Sequence, residues 1–209
     1  MESKKGINNN GYDYVDLGLP SGTLWATCNV GASKPSDYGL YFQWGDIKGY
    51  TKEQVGTGSG KKKFVVDWSD YKWGSEPNFT KYTTIGMTLD LEDDAAHVHM
   101  GGDWHMPTPA QIIELINTAN TTSTWTTQDG INGRLFTSKK NPSKSIFIPV
   151  AGIAWDGSVQ DSGDYGYVWS SMLSADVVIG GQYLDFYSDA AGLLSSLRFF
   201  GFSVRGVIG

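Results

Sequence analysis

The order of its predicted elements is the feature that most restricts how this chain folds. Two segments in the first two-thirds carry helical signals, and the chain after about residue 120 is typical of β-strands. This order indicates an α+β domain. The 209 residues contain no internal repeat and suit one domain. A count of 27 Gly against 7 Pro, with 13% aromatic residues, favours short strands joined by turns around aromatic cores.

The clearer helical segment is "TPAQIIELINTA", residues 108–119. Thr108 is a natural N-cap, Pro109 suits the first helical position, and Gln111 completes a capping box. Apolar residues then recur with helical spacing, which predicts one buried side. The predicted buried stripe consists of Ile112, Leu115 and Ile116.

The other helical segment is "LDLEDDAAHVHM", residues 89–100. Its acidic residues occupy the first turn, where the helix dipole favours them, and two glycines follow its end. Apolar and aromatic runs in the last third predict strands. The predicted late strands are 145–153, 165–171, 181–187 and 200–208.

The C-terminal segment "LRFFGFSVRG" crowds three aromatic rings into four positions. On a strand, Phe200 and Phe202 would share one face, and Phe199 would take the other. Two opposite faces bury large rings only where a strand is covered on both sides. Either this segment is central in the fold, or some of its rings contact a ligand.

Charge and hydropathy exclude several classes of function. The formal net charge of −6 and the pI of about 4.9 argue against a nucleic-acid partner, which requires a basic face. The basic cluster Lys61–Lys63 lies in a Gly/Ser-rich segment and is typical of a solvated loop. No apolar run approaches the length of about 20 residues that inserts into a bilayer. Residues 1–11 are predicted to form a flexible leader without a secretory signal, so an export signal either never existed or was removed.

Residues with reactive or metal-binding side chains show no catalytic or metal-ligand pattern. Cys28 is the only cysteine, which excludes an intrachain disulfide and a cysteine-based zinc site. His97 and His99 are two positions apart and point to different sides of a helix, and His105 lies beyond it. No Ser-His-Asp motif, phosphate loop or carboxylate pair stands out. We therefore predict no catalytic residue, no metal and no cofactor.

Seven segments follow one another along the chain: "YVDLGLPSGTLWATCNVGA", "DYGLYFQWGD", "DAAHVHMGGDWHMPTPAQ", "TTQDGINGRLFTS", "SIFIPVAG", "YGYVWSS" and "GFSVRGV". Together they resemble a known family, the Fibrobacter succinogenes major paralogous domain, which is abundant in gut Bacteroidetes. The resemblance runs from about residue 12 to the end and implies a single domain, 12–209. It implies the C-type lectin-like fold, in the variant shared with formylglycine-generating enzymes, with two helices and several short antiparallel strands. His105 departs from the family, which usually carries Arg there.

Two motifs are candidates for calcium binding. The tripeptide Glu76-Pro77-Asn78 resembles the calcium and mannose motif of true C-type lectins, but it precedes both helices instead of following them. The loop with Asp156, Asp161 and Asp164 carries carboxylates that suit calcium. Its spacing fits turn-forming Asp and Gly better.

The C-terminal third resembles the variable proteins of diversity-generating retroelements, in which adenine-directed mutagenesis rewrites asparagine codons. The resemblance implies a variable region at about 167–205, in which fixed frame residues alternate with mutable ones. The frame would consist of Tyr167, Trp169, Ser170, Ser171, Tyr183, Leu184, Phe186, Ser188, Arg198, Gly201, Ser203, Val204 and Arg205.

One compositional check bears on this resemblance. An asparagine codon randomised at its two adenines cannot yield Lys, Glu, Gln, Met or Trp. Residues 145–209 contain no Lys, Glu or Asn. Met172 and Gln182 are unreachable and should be fixed. Strands are depleted in Lys, Glu and Asn anyway, which leaves a plain β-rich core as the alternative. The candidate variable, ligand-binding residues are Leu173, Ser174, Ala175, Asp176, Val178, Ile179, Asp185, Tyr187, Asp189, Leu194, Ser195, Ser196, Leu197, Phe199, Phe200 and Phe202.

We therefore expect a non-enzymatic binding protein of gut-bacterial or prophage type. Its hypervariable surface would meet a protein or glycan ligand on a cell surface. The alternative is a surface or adhesion domain with a fixed ligand. An oxidase-like enzyme is a third hypothesis, which the single Cys28 argues against. The sequence leaves the oligomeric state and the location open, with the cell surface or a phage particle as the expected places.

Three structural expectations follow from these readings. The N- and C-terminal strands should lie together. Candidate positions should gather on one exposed face, so that Phe199→Ala or Tyr187→Ala changes stability by no more than about 0.5 kcal/mol. The frame residue Trp169 should be buried and cost about 3–5 kcal/mol when replaced by Ala. The expected exposed set is Leu173 to Asp176, Asp185, Tyr187, Ser195, Leu197, Phe199 and Phe202, and Trp169, Leu184, Phe186 and Val204 should be buried beneath it.

Overall fold

The computed structural model describes residues 10–57 and 63–209 and has an α+β architecture with short antiparallel sheets. The α+β class predicted from the order of elements is confirmed. The leader prediction lies outside the described residues except at Asn10 and Gly11. Lys61 and Lys62 of the basic cluster lie outside them as well.

Both predicted helices are present, and both are short. Helix α1 (Ala95–Met100) follows a 3-10 turn at Leu91–Asp93, and helix α2 spans Pro109–Ile116. The capping box of α2 is confirmed: the backbone N–H of Gln111 donates to Thr108 Oγ1 at 3.3 Å, and the backbone N–H of Thr108 donates to Gln111 Oε1 at 2.8 Å. Nowhere in the described parts of the chain is a helix sufficiently long and apolar to traverse a membrane. The stripe of α2 is buried at Ile112 and Leu115 and half-buried at Ile116.

The strands are numbered along the chain. They are β1 (Tyr14–Asp16), β2 (Leu24–Asn29), β3 (Gly74–Ser75), β4 (Asn78–Phe79), β5 (Thr121–Gln128), β6 (Ile131–Ser138), β7 (Ser145–Pro149), β8 (Ile153–Trp155), β9 (Ser158–Gln160), β10 (Gly166–Leu173), β11 (Gly180–Phe186), β12 (Ala191–Leu197) and β13 (Arg205–Ile208).

The strands pair in small antiparallel sheets. Three-stranded sheets have the orders β1-β2-β13, β5-β6-β7 and β10-β11-β12, and β3-β4 and β8-β9 form hairpins. The C-terminal strand β13 pairs with β2, where Val207 lies opposite Trp25. The expected closeness of the N- and C-terminal strands is therefore confirmed.

The sheet β10-β11-β12 lies between two hydrophobic cores. One core contains Leu184 and Phe186 of this sheet together with Ile112 and Leu115 of α2. The other core is largely aromatic and includes Trp44, Trp104, Trp169, Tyr183 and Phe202. Because both cores contact this sheet, its position relative to α2 and to the rest of the chain is fixed by packing.

The predicted strand 200–208 is confirmed as a regular strand only from Arg205, because residues 198–200 form a turn and residues 201–203 make isolated β-bridges. The turn places the Phe199 ring 4.6 Å from the ring of Trp68 and leaves this side chain 6% exposed. The Phe202 ring lies 4.2 Å from that of Trp169 and is 1% exposed. Only Phe200 of the three rings is half-exposed. Phe199 and Phe202 therefore belong to the interior.

The arginines that flank these rings are fully buried. Arg198 donates to the carbonyl oxygens of Lys81 and Tyr82 at 2.9 and 3.0 Å. Arg205 donates to that of Ala26 at 2.9 Å. Neither guanidinium pairs with a carboxylate of the described residues. Both cations are held by neutral acceptors and tie the C-terminal segment to the N-terminal half.

Candidate ligand-binding surface

The two faces of the sheet β10-β11-β12 have different surroundings. Direct cross-strand pairing places Tyr167, Asp185 and Gly192 on one face. Val168 and Leu184 alternate to the opposite face and pack in the core beside α2. The face with Val168 and Leu184 is therefore packed against the core, and the face with Tyr167 and Asp185 is available for a ligand at its outer end.

The available end carries tyrosine rings around a carboxylate. The Tyr165 ring lies 5.5 Å from the Tyr187 ring and 6.2 Å from the Tyr167 ring, to which it is nearly parallel. Tyr165 is 40% exposed, and Tyr167 and Tyr187 are half-buried. The Tyr183 ring lies 5.9 Å from Tyr167 and is buried at the inner edge. We call Tyr165, Tyr167, Tyr183, Asp185 and Tyr187 the tyrosine face.

Further rings continue the tyrosine face towards the hairpin β8-β9. The Tyr167 ring stacks on that of Phe202 at 4.9 Å, and the Phe202 ring on that of Phe200 at 6.1 Å. Phe200 in turn contacts Trp155 at 5.6 Å, and Trp155 is 39% exposed. The result is a contiguous aromatic band that reaches the surface at both ends. Exposed apolar bands of this kind mark interaction sites.

Asp185 is the charged residue in the middle of the tyrosine face. Its side chain is half-buried, and its carboxylate has no hydrogen bond or ion pair with any residue in the described ranges. Burial raises the pKa of Asp185 above its usual value. Burial also raises the pKa of Tyr183 to about 12, with a further contribution from Asp185. A Cβ added to Gly192, its partner on β12, would meet no heavy atom within 4 Å. The carboxylate is therefore open on that side.

The other carboxylates near the tyrosine face are already used or lie at its edge. The Tyr167 hydroxyl donates to Asp161 Oδ2 at 3.4 Å. Asp189 is exposed in the turn between β11 and β12 and accepts from the Ser188 hydroxyl. Arg134 donates to the carbonyl oxygen of Tyr187 at 2.8 Å, which fixes the end of β11. None of these contacts neutralises Asp185.

The frame residues expected in the interior are there. Trp169, Leu184, Phe186 and Val204 are all fully buried. The Trp169 Nε1 donates to the carbonyl oxygen of Phe42 at 2.8 Å, so the buried indole N–H has a hydrogen-bond acceptor. This part of the prediction is confirmed.

The expectation of exposure is wrong at four candidate positions: Leu173, Ser174, Phe199 and Phe202 are buried. Leu173 and Phe202 pack in the aromatic core. The Ser174 hydroxyl accepts from the Asp176 amide at 3.2 Å and shapes the turn after β10. Leu173 ends β10 and Phe202 makes a β-bridge with Phe42, so the rest of the chain covers both, whereas Phe199 lies in the turn after β12.

The expectation of one common face is wrong at β12. Asp185 pairs with Gly192, so Leu194 and Ser196 share the face of Asp185. Ser195 and Leu197 alternate to the opposite side. The register of one hairpin therefore divides candidates that the sequence grouped together.

The remaining candidates line smaller depressions or lie in turns. Ala175, Asp176, Leu194 and Ser195 line a cavity of about 360 Å³ at the edge of β12. Val178 and Ile179 line another of about 370 Å³, opposite Phe79 and Pro77. Together with Asp185, Tyr187, Asp189, Ser196, Leu197 and Phe200, they form several patches of partial exposure.

The residues considered for metal binding have other contacts. His97 Nδ1 and His99 Nε2 donate to the carbonyl oxygens of Trp104 and Ile47 at 3.0 and 2.8 Å. His105 donates to the carbonyl oxygen of Met106 at 2.9 Å. Cys28 is a half-buried free thiol. A group of three carboxylates, Asp90, Glu92 and Asp93, surrounds the ammonium of Lys81.

The two segments considered for calcium binding form parts of hairpins and turns. Glu76 and Pro77 join β3 to β4, and Asn78 begins β4. Asp161 has a left-handed backbone, with φ of 57°, and its carbonyl accepts from the Tyr165 amide at 3.0 Å. The turn-forming role of this aspartate is confirmed, and it presents Tyr165 at the surface.

Sequence reasoning missed Trp155, Tyr165 and Gly192 as parts of the surface. Trp155 immediately precedes an Asp-Gly turn, so its position at a hairpin tip was a usable signal of exposure. Tyr165 and Gly192 gave no such local signal. Their importance depends on which strands become neighbours.

Comparison of the chain with protein-family models, curated proteins and solved structures found no match.

Proposed function

We propose that this chain is a non-enzymatic ligand-binding protein with a C-type lectin-like fold, and that the tyrosine face is its recognition surface. One observation carries the proposal: an exposed aromatic band contains a carboxylate, Asp185, that has no partner among the residues the structure describes, on a sheet whose other face is packed. Tyrosine supports such a role because it buries much area with few rotatable bonds. The proposed mechanism is non-covalent binding to a rigid surface.

The sequence resemblance makes a variable protein of a diversity-generating retroelement the leading class. Asp185, Tyr187, Leu194 and Ser196 support this reading, since they share one face and are reachable from a mutated asparagine codon. The test is the gene's surroundings. A neighbouring reverse transcriptase and a near-copy of the last roughly forty codons, rich in AAC, would establish this class, and their absence would exclude it.

Burial at Leu173, Ser174, Phe199 and Phe202 favours the second candidate, a surface or adhesion domain with a fixed ligand. Free randomisation at fully packed positions would destabilise the fold by several kcal/mol in many variants. Sequencing the gene from many isolates distinguishes the two classes. Variation concentrated at the exposed candidates supports diversification, and an invariant C-terminal third supports a fixed ligand.

Binding itself is tested with a glycan array and a library of displayed peptides. The wild-type chain is compared with the double variant Tyr165→Ala/Tyr187→Ala. The matched control is Ile113→Ala, a 51% exposed apolar residue on α2. Ligands retained by wild type and Ile113→Ala, but lost by the double variant, support the proposal. Ligands bound equally by all three, or no ligand at all, would contradict it.

A further inference from the structure

Asp185 has a chemical requirement that the fold does not meet. A half-buried carboxylate loses part of its hydration, and an ion pair or hydrogen bonds usually compensate for that loss. Within the described residues, Asp185 has neither. It caps no helix and lies in the middle of a regular strand pairing, between Tyr167 and Gly192. Groups outside the described residues therefore complete its hydrogen bonding: water molecules in the free protein and a donor of the ligand in a complex.

We propose that the tyrosine face binds a partner protein through an arginine side chain that pairs with Asp185. This inference rests on the proposed ligand-binding function. A guanidinium matches a carboxylate with two parallel hydrogen bonds. It also stacks on aromatic rings and is hydrated less strongly than an ammonium group. The rings of Tyr167, Tyr183 and Tyr187 flank Asp185 on its own strand and on β10, and Gly192 leaves the approach from β12 open.

The charge of the surrounding segment complements such a partner. Residues 145–209 contain six aspartates, no glutamate or lysine, and two arginines. Both arginines, Arg198 and Arg205, are fully buried. Every charged side chain that this segment presents to solvent is therefore negative. A surface of one sign accelerates encounter with a partner of the opposite sign and rejects acidic ones.

Other ligands fit this surface less well. A neutral sugar could stack on the tyrosines, but it would leave the Asp185 charge uncompensated while removing more water from it. Lysine offers a compact ammonium that does not match a flat aromatic surface. A calcium ion requires six to eight oxygen ligands, and Asp185 belongs to no cluster of three or more metal-ligating groups in the described residues.

The experiment uses a phage-displayed library of random peptides, selected against the full wild-type chain. Selected peptides are synthesised with each arginine replaced by lysine or by citrulline, its neutral isostere. Their affinities are measured for wild type, Asp185→Asn and the control Asp103→Asn, an exposed aspartate between α1 and α2 that belongs to no candidate site. Amide NMR spectra of the three proteins verify that each is folded.

We expect arginine to be enriched among the selected peptides. Replacing the arginine by citrulline should weaken the affinity for wild type at least about tenfold, as for loss of one desolvated ion pair. The affinity of the unmodified peptides for Asp185→Asn should be weaker by the same factor. Asp103→Asn should bind as wild type does. Binders without arginine enrichment, equal affinity for Asp185→Asn, or a library that yields no binder would each overturn the inference.

This outcome is separable from failure of the proposed function. Glycan ligands that require Tyr165 and Tyr187, in the absence of an arginine requirement, would overturn the arginine inference and leave a binding surface in place. If neither glycans nor peptides depend on these tyrosines, both the inference and the proposed function are wrong.

Discussion

Asp185 and Gly192 are direct cross-strand partners, and the missing side chain of Gly192 leaves the Asp185 carboxylate open on one flank. On the other flank, Asp185 faces Tyr167 across β10. A larger residue at position 192 would cover the carboxylate with apolar atoms. Because Asp185 lies opposite a glycine and has no ion-pair partner in the described parts of the chain, its charged group stays accessible between aromatic rings.

The first prediction concerns the stability cost of Asp185. Burial raises its pKa, so the folded state holds the proton more tightly than the unfolded state, and ionisation of Asp185 disfavours folding. Replacement by Asn removes this cost. We expect Asp185→Asn to increase the free energy of unfolding at pH 7 by about 0.5 kcal/mol, the usual range for surface changes.

This gain depends on pH with a defined sign. It is complete above the raised folded-state pKa and disappears as the pH falls below the usual value of 3.8. Thermal melts at pH 7 and at acidic pH measure it, with Asp176→Asn as the control. A lower melting temperature for Asp185→Asn at pH 7 would show that the carboxylate has a stabilising partner.

The second prediction corrects the expectation for Phe199. Its ring packs 4.6 Å from those of Trp68 and Phe200 and is 6% exposed. Phe199→Ala should therefore destabilise the protein by about 3 kcal/mol, not by 0.5 kcal/mol or less. Leu194→Ala, at a 51% exposed site, is the control and should change stability by no more than about 0.5 kcal/mol. Urea denaturation of both variants decides between the two expectations.

Helix α2 and the buried frame were predictable because their signals are local. The reciprocal hydrogen bonds join Thr108 and Gln111, which are three positions apart, and the sequence shows this spacing directly. Likewise, the alternation of Leu184 and Phe186 with polar or tyrosine neighbours indicates one packed face of β11. Neither inference requires knowledge of distant contacts.

The composition of the tyrosine face was not predictable, because it depends on tertiary contacts. The carbonyl of Ala190 accepts from the Tyr187 amide at 3.0 Å, and this turn sets the pairing of Asp185 with Gly192. One residue more or less in the turn would exchange the faces of β12. Similarly, Trp155 reaches the aromatic band only because Ala154 pairs with Gly201, far along the chain.

The third prediction tests the buried guanidinium of Arg205. Its donors reach Asn29 Oδ1 at 2.9 Å and the carbonyl oxygens of Ala26 and Phe147 at 2.9 and 3.1 Å. Burial lowers the pKa of Arg205 to about 10, so the group remains charged at pH 7. Lysine cannot satisfy these three acceptors from one nitrogen. We expect Arg205→Lys to cost about 2–4 kcal/mol in urea denaturation. A cost below about 1 kcal/mol would mean that water replaces the lost bonds.

The fourth prediction separates binding from thiol chemistry. Cys28 is half-buried, and its Sγ lies 3.5 Å from Thr27 Oγ1. On the proposed function this thiol only packs, so Cys28→Ala should retain the affinity of wild type for any selected ligand. Stability should change by about 1 kcal/mol or less. Affinity measurements and thermal melts check both expectations. Loss of ligand binding by a folded Cys28→Ala protein would contradict this prediction and support the enzyme hypothesis.

The last prediction uses Gly192 to block the site without disturbing the fold. Its position on edge strand β12 has open space around a Cβ and no left-handed backbone. Valine favours strands over glycine, on a scale that spans about 1 kcal/mol. Gly192→Val should therefore be as stable as wild type or slightly more stable.

The valine side chain would nevertheless stand beside Asp185, on the flank where we expect the arginine to enter. Affinity for arginine-containing peptides should fall at least about tenfold, as for removal of the ion pair itself. Gly86→Val is not a suitable control, because Gly86 has a positive φ of 70° and would be strained. Thr124→Val is suitable, since it places the same side chain at an exposed position of another edge strand, β5, outside every candidate site. Equal loss in both variants would indicate a nonspecific effect of an added surface valine, and no loss in Gly192→Val would place the ligand elsewhere.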